Sequence, residues 1–206
     1  MTWSIKPDQL DNTAFRPTPD GQGFTLDIPA NANIAADMVT RHATGAKANK
    51  TAVIFETADG TLERYSFSNL ENQATCVAAA LQRLGIRRGD RVAIHSAQRP
   101  EIIVAHLATY KLGAIATTIS QLTGPDAMAH ILSDSGARVI FTHDLIWESF
   151  RTERDGYQQL EQVITIGRSG DGELAFMDCA TADPAGFKSA VTGPEVPALL
   201  IYTSGS

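Results

Sequence analysis

Leu199-Leu200-Ile201-Tyr202-Thr203-Ser204-Gly205-Ser206 decides how this chain is read. The apolar run 198–202 has the length of a buried parallel strand, and it opens directly into Thr-Ser-Gly-Ser. Small residues let a backbone bend until successive N–H groups face one anion, and hydroxyls add donors with little bulk. The composition is that of a phosphate loop at the carboxyl end of a strand, where open α/β sheets bind ligands. A plain Ser/Gly turn after a strand fits the same four residues. It is not a Walker A loop, because G-x-x-x-x-G-K-[ST] occurs nowhere in the chain.

Upstream, the hydrophobic spacing predicts an α/β domain with a mostly parallel sheet flanked by helices, a β-hairpin and an extended N-terminal arm. Residues 51–56 and 62–67 are strand-like around Ala58-Asp59-Gly60-Thr61, which predicts the hairpin. Ser68 with Glu71 three residues on reads as a capping box, and Leu70, Ala74, Val77, Ala78, Leu81 and Leu84 then recur at intervals of three and four. Arg88-Gly89-Asp90 turns the chain into a strand at 91–95. Pro100 and Glu101 suit a first helical turn, with Ile103, Leu107 and Tyr110 inward. A strand at 114–119 follows, then a helix from Pro125-Asp126 to Gly136, then a strand at 139–142. Short connections between alternating strands and helices imply parallel pairing with right-handed crossovers.

Beyond these, Asp144 reads as the cap of a helix containing Ile146, Trp147 and Phe150. Residues 163–166 form a short strand, 173–179 are ambiguous, and 181–197 are loop-like. The run 199–202 is expected to insert as a late central strand. At the other end, 1–33 mix Pro, Gly, Asp and Asn and predict an arm over the domain surface. Asn33 is a plausible cap for a helix at 34–43 with Ile34, Met38 and Val39 on one side.

The chain has 206 residues, enough to bury about 70% of its unfolded surface in one sizeable domain. An apolar share of 43% and a charged share of 19% are ordinary for a globular protein. The net charge of −6, with Lys and Arg scattered, argues against nucleic acid or an anionic membrane as the main partner. Cys76 and Cys179 form neither a disulfide framework nor a zinc spacing and suit a reducing compartment, so a cytoplasmic location is expected. Residues 1–15 carry Lys6, Asp8 and Asp11 without an apolar core, unlike a secretory signal, and 112–125 is too short to span a bilayer.

His42, His95, His106, His130 and His143 are too widely spaced to suggest a metal cluster, and no metal site is expected. His106 and His130 are read as partly buried, hydrogen-bonded helix residues. No Gly-x-Ser-x-Gly elbow supports a hydrolase nucleophile.

An ordered set of short motifs resembles the adenylate-forming, or AMP-binding, enzymes. It runs from Tyr65-Ser66-Phe67 through Leu84-Gly85-Ile86, Arg88-Gly89-Asp90-Arg91-Val92-Ala93-Ile94 and Arg99-Pro100-Glu101. It continues with Tyr110-Lys111-Leu112-Gly113-Ala114 and Asp134-Ser135-Gly136-Ala137-Arg138-Val139-Ile140, and ends with Ile201-Tyr202-Thr203-Ser204-Gly205-Ser206. Gly124-Pro125-Asp126-Ala127 is similar to the acetyl, medium-chain and aryl acyl-CoA synthetases; Thr118, where many relatives have proline, departs from the pattern.

The resemblance implies a flavodoxin-like subdomain and a parent ligase that joins a carboxylate to ATP with Mg²⁺, then passes the acyl group from its adenylate to coenzyme A. It makes Thr203, Ser204, Gly205 and Ser206 the first half of the ATP phosphate loop. The family's loop lysine, magnesium-binding glutamate, ribose aspartate and C-terminal lysine would lie beyond Ser206. On this reading 1–206 is a single incomplete domain, with 1–45 the arm and first helix and 46–206 an α/β subdomain ending inside the loop. No catalytic residue is then expected within it, and the fragment alone is expected to be inactive. A self-contained flavodoxin-like module for nucleotides or phosphate ligands, and a structural or interaction domain, are the rival readings.

Overall fold

In the computed structural model, residues 15–17, 24–26 and 28–203 are described. Within the expected arm, β1 (Phe15–Pro17) and β2 (Phe24–Leu26) pair antiparallel with each other. The rest of the span before Ile28 lies outside the described residues.

Asn33 caps α1 (Ile34–Met38) as expected, its side chain accepting from Ala35 N at 3.0 Å and Ala36 N at 3.3 Å. The helix is shorter than 34–43 and buries a different face. Ala35 and Val39 are buried, whereas Ile34 and Met38 are 42% and 55% exposed. The Asn33 amide sets this rotation by donating to the Tyr110 and Ala190 carbonyls. Two 3₁₀ turns, Thr40–His42 and Gly45–Lys47, carry the chain onward.

The predicted hairpin is present as β3 (Thr51–Glu56) and β4 (Leu62–Ser66), an antiparallel ribbon separate from the main sheet. Asp59 folds its turn by accepting from Thr61 N at 3.0 Å. The helix that follows, α2 (Phe67–Arg83), is capped two residues earlier than predicted. Ser66 accepts from Asn69 N and the Asn69 side chain accepts from Ser66 N, both at 3.1 Å. Ser68 is already inside the helix, and Glu71 turns inward to Lys111 Nζ at 2.7 Å. The apolar face is the predicted one: Leu70, Ala74, Val77, Ala78 and Leu81 are buried. At about 1.5–3 kcal/mol for each fully buried large side chain, against about 1 kcal/mol for a cap, this face rather than its first turn places the helix.

Six strands form the parallel sheet: β5 (Arg91–His95), β6 (Ile115–Ile119), β7 (Val139–His143), β8 (Gln162–Ile166), β9 (Leu174–Ala175) and β10 (Leu199–Ile201). Their spatial order is β10-β6-β5-β7-β8-β9. β5 to β9, arranged β6-β5-β7-β8-β9, follow the doubly wound flavodoxin-like order, with the direction of winding reversing between β5 and β7. β10 is not central: among the described strands it is an edge, paired only with β6. Leu199 and Ile201 are correspondingly 47% and 61% exposed.

α3 (Pro100–Lys111) joins α2 over one sheet face, in a core that includes Val92, Ile94, Val104, Leu107, Phe141 and Ile164. α4 (Pro125–Ser135) covers the other face with Met128, Ile131 and Leu132, alongside Trp147, Phe150 and Tyr157. Gly136 ends α4 in the left-handed conformation, φ +61°, where a side chain would be strained. The ambiguous 173–179 resolves into β9 and α6 (Phe176–Ala180), with Phe176 and Cys179 buried in the first core. α5 (Asp144–Trp147) is only four residues long, and Phe150 follows it outside the helix.

Candidate functional site

A parallel sheet brings every strand's carboxyl end to one edge, and the loops leaving β5, β6, β7, β8 and β10 therefore share that edge. β10 runs parallel to β6 with Ile201 opposite Thr118, so the chain leaves β10 beside the loop 120–124 that follows β6. Thr203 is exposed just past the strand end; Ser204, Gly205 and Ser206 lie outside the described residues. β10 thus brings Thr203, the one described residue of the predicted loop, to the carboxyl edge of the sheet, although on a marginal strand instead of a central one.

Tyr202 anchors that exit. Its hydroxyl donates to Asp134 Oδ2 at 2.5 Å, and its ring meets His130 edge-on, with centroids 6.3 Å apart. Burial, and then the Asp134 carboxylate, push the Tyr202 pKa up to about 12, so the phenol stays protonated as a donor. His130 is exposed, contrary to the expectation of a partly buried histidine, because it lies on the side of α4 away from the Met128–Ile131–Leu132 contacts. His106 does match, half-buried with Nδ1 3.2 Å from the Tyr110 hydroxyl.

Beneath the edge, His95 ends β5 with no exposed surface. Burial pushes its pKa down to about 4, with only a smaller opposing pull from the Ser120 backbone. It is therefore neutral near pH 7, its ring edge-on to Phe150 and its Nδ1 3.5 Å from Thr142 Oγ1. His95 Nε2, Ser96 Oγ and Thr117 Oγ1 are buried and make no hydrogen bond among the described residues. Sequence reading weighed His95 only as a possible metal ligand and marked neither Ser96 nor Thr117, since periodicity reports which face a residue is on and not whether its polar atoms find partners.

Across the winding reversal, a polar cleft of about 470 Å³ opens at the ends of β7 and β8, lined by Asp144, Glu148, Arg151, Arg168 and Ser169 among others. His143, not Asp144, occupies the cap position of α5, accepting from Leu145 N at 3.3 Å. Asp144 instead braces the cleft by accepting from Arg168 N at 3.0 Å and Leu145 N at 2.8 Å. The Arg168 amide, chiefly, holds its carboxyl below the usual carboxylate range. Gly167 lets the two loops touch: at φ +102°, a Cβ there would stand 2.7 Å from the Asp144 carboxyl carbon. Arg151 is committed to Glu173 at 2.8 Å and also pairs with Glu148.

An apolar cleft of about 300 Å³, bordered by Ile28, Met38, Tyr110, Pro194 and Ala198, lies at the opposite edge, where β6 and β10 begin. Among the described residues, no three His, Cys, Asp or Glu side chains group as metal ligands, and no helix is long and apolar enough to cross a membrane. Asp90, in the turn before β5, pairs with Arg138 at 2.6 Å and accepts from Arg87 N at 2.7 Å, so its role is to tie strand entries together.

Fold and strand placement define a doubly wound α/β protein with its ligand edge at the carboxyl ends of the strands. The family model described as AMP-binding enzyme matches residues 39–206, and the chain belongs to that family. It is 28% identical to the acetyl-coenzyme A synthetase of Cronobacter sakazakii, over all of this chain and 34% of that protein. The corresponding synthetase of Gemmatimonas aurantiaca is also 28% identical, over 79% of this chain and 22% of its own length.

Among solved structures, the anthranilate CoA ligase AuaEII, in complex with anthranoyl-AMP, is 32% identical with a TM-score of 0.76, over 87% of this chain and 33% of that one. A Brucella canis acyl-CoA synthetase, at 23% identity and a TM-score of 0.74, shares the fold. The chain spans about a third or less of the length of each of these relatives.

Proposed function

We propose that these residues are the front part of the large N-terminal domain of an ATP-dependent acyl-CoA synthetase. That ligase activates a carboxylate as its acyl-adenylate and transfers the acyl group to coenzyme A. The observation that carries the proposal is the direction of β10, which delivers Tyr202 and Thr203 to the carboxyl edge of a sheet whose family binds AMP. Thr203, Ser204 and Ser206 would supply hydroxyl donors to the ATP phosphates, and Gly205 the backbone room. Exposed Thr203 fits that task, since a donor must reach solvent to meet a polyanion. Activation sets an anionic nucleophile against a triphosphate, so positioning and charge neutralisation dominate, and Mg²⁺ supplies the latter when bound.

The flavodoxin-like strand order favours a second reading, a phosphate-ligand module centred between β5 and β7. The cation nearest that point in sequence, Arg99, is already engaged with Glu101 at 3.2 Å and lies over Phe55 at 5.9 Å. Calorimetry with ATP and Mg²⁺ on the 206-residue chain separates the two readings. The ligase proposal expects no specific heat, whereas micromolar binding favours the module. In the parent protein, carboxylate-dependent pyrophosphate release from ATP is expected, and its absence across short-chain, medium-chain and aryl acids would refute the ligase.

A further inference from the structure

β10 is a poor foundation for a phosphate loop. It has three residues, pairs with only one described neighbour, and leaves Leu199 and Ile201 exposed. The exit from β10 is held by a different element, α4. Tyr202, the first residue past the strand, bonds Asp134 in the last turn of α4 and sets its ring against His130 of the same helix. It also packs against the core cluster under α4.

That end of α4 is itself fastened. Ser135 Oγ donates to Ile131 O at 2.6 Å, and the Arg91 guanidinium at the start of β5 donates to the Ser135 and Gly136 carbonyls, at 2.5 and 3.1 Å. A path of direct bonds therefore runs from β5 through Arg91 and the end of α4 to Asp134 and Tyr202. Tyr202, and with it the start of Thr203, is tied to the middle of the sheet by a route separate from β10.

We infer that Asp134 is a positioning residue for ATP activation, acting through Tyr202 on the root of the phosphate loop. The inference rests on the ligase reading and adds to it a residue remote in sequence from the loop. Its chemistry is specific: a carboxylate acceptor fixes the phenolic O–H, and the fixed ring sets where Thr203 begins. The anchor serves the step that handles the triphosphate, and the later transfer of the acyl group to a thiol does not depend on it.

The test uses the full-length ligase and its two half-reactions: carboxylate-dependent ATP–pyrophosphate exchange, and thioester formation from supplied acyl-adenylate and coenzyme A. Asp134→Ala and Tyr202→Phe should each slow exchange on the order of tenfold, chiefly through KM for ATP, and leave thioester formation within about twofold. Asp134→Asn, which keeps an oxygen acceptor, should recover most of the exchange rate. The double variant Asp134→Ala/Tyr202→Phe should be no slower than either single one, because both remove one bond. Equal loss in both half-reactions, additive effects in the double variant, or unchanged exchange would each overturn the inference. A wild-type protein without any exchange would refute the ligase reading itself, which is a separate outcome.

Discussion

The burial of His95 makes a pH-dependent contribution to folding that the chain's acidic residues do not duplicate. Its pKa falls from 6.5 to about 4 on burial, so between those values the unfolded chain binds a proton that the folded chain refuses. Stability from this residue is complete above pH 6.5 and is lost as the pH falls towards 4, by a total on the order of 3 kcal/mol. Asp144 and Glu161, lowered chiefly by the Arg168 amide and by Arg138, and Glu173, where burial pulls upward but the Arg151 and Gly170 bonds win, weaken the fold in the same direction but only as the pH falls from the ordinary carboxylate range downward. Urea midpoints followed from pH 6.5 to 4 should drop for the wild-type chain and drop less steeply for His95→Gln; identical slopes would show that His95 is already protonated when folded.

The side chain of Lys111 is only 3% exposed and pairs with Glu71 at 2.7 Å, with Thr40 Oγ1 at 3.2 Å. No spacing rule announces such a pair. Glu71 was legible as a helix-start residue, and its partner lies forty positions away on another helix. Residue-scale facts of this kind depend on packing between elements, which one-dimensional patterns do not encode.

Elements whose apolar positions recur regularly were the most legible. α2, α4 and the strands β5 to β8 fall where periodicity and glycine punctuation put them, because an apolar stripe has one way to face a core. The ends of elements were less legible. Ser66 and Ser68 both offer a hydroxyl two or three residues before acceptable partners, and only the extended backbone at Ser66, φ −80° and ψ 165°, decides between them. Ser66→Ala should therefore cost about 1 kcal/mol, or about 2–4 °C in thermal midpoint, while Ser68→Ala stays within about 0.5 kcal/mol. The reverse ranking in a thermal melt would restore the cap at Ser68. α1 failed for a different reason: with one short turn or two, the face it buries is set by the Asn33 amide bonds to Tyr110 and Ala190, not by its own pattern.

At the scale of the molecule, fold class and the parallel sheet were readable from alternation alone, and the family from the order of its short motifs. The position of β10 was not. An apolar run says that a strand is to be covered and leaves open which neighbour covers it, and Leu199 and Ile201 remain half open to solvent here. Hydrogen exchange on the 206-residue chain should find the β10 amides exchanging far faster than those of β5, which has strands on both sides. Equal protection of the two would mean that another partner covers the edge. The sequence offered the candidate site as a loop composition at 203–206, whereas the Tyr202–Asp134 bond beside it was not legible, since neither residue carries a motif for the other.

The sheet is assembled out of chain order, and synthesis adds a timetable. β5 to β9 and their helices emerge from the ribosome first and can close both hydrophobic layers among themselves. β10 arrives after the long connection 181–198 and docks on β6, a strand made far earlier. The nascent chain would thus complete the β5–β9 framework before the strand that lies beside β6 at the edge of the described sheet exists.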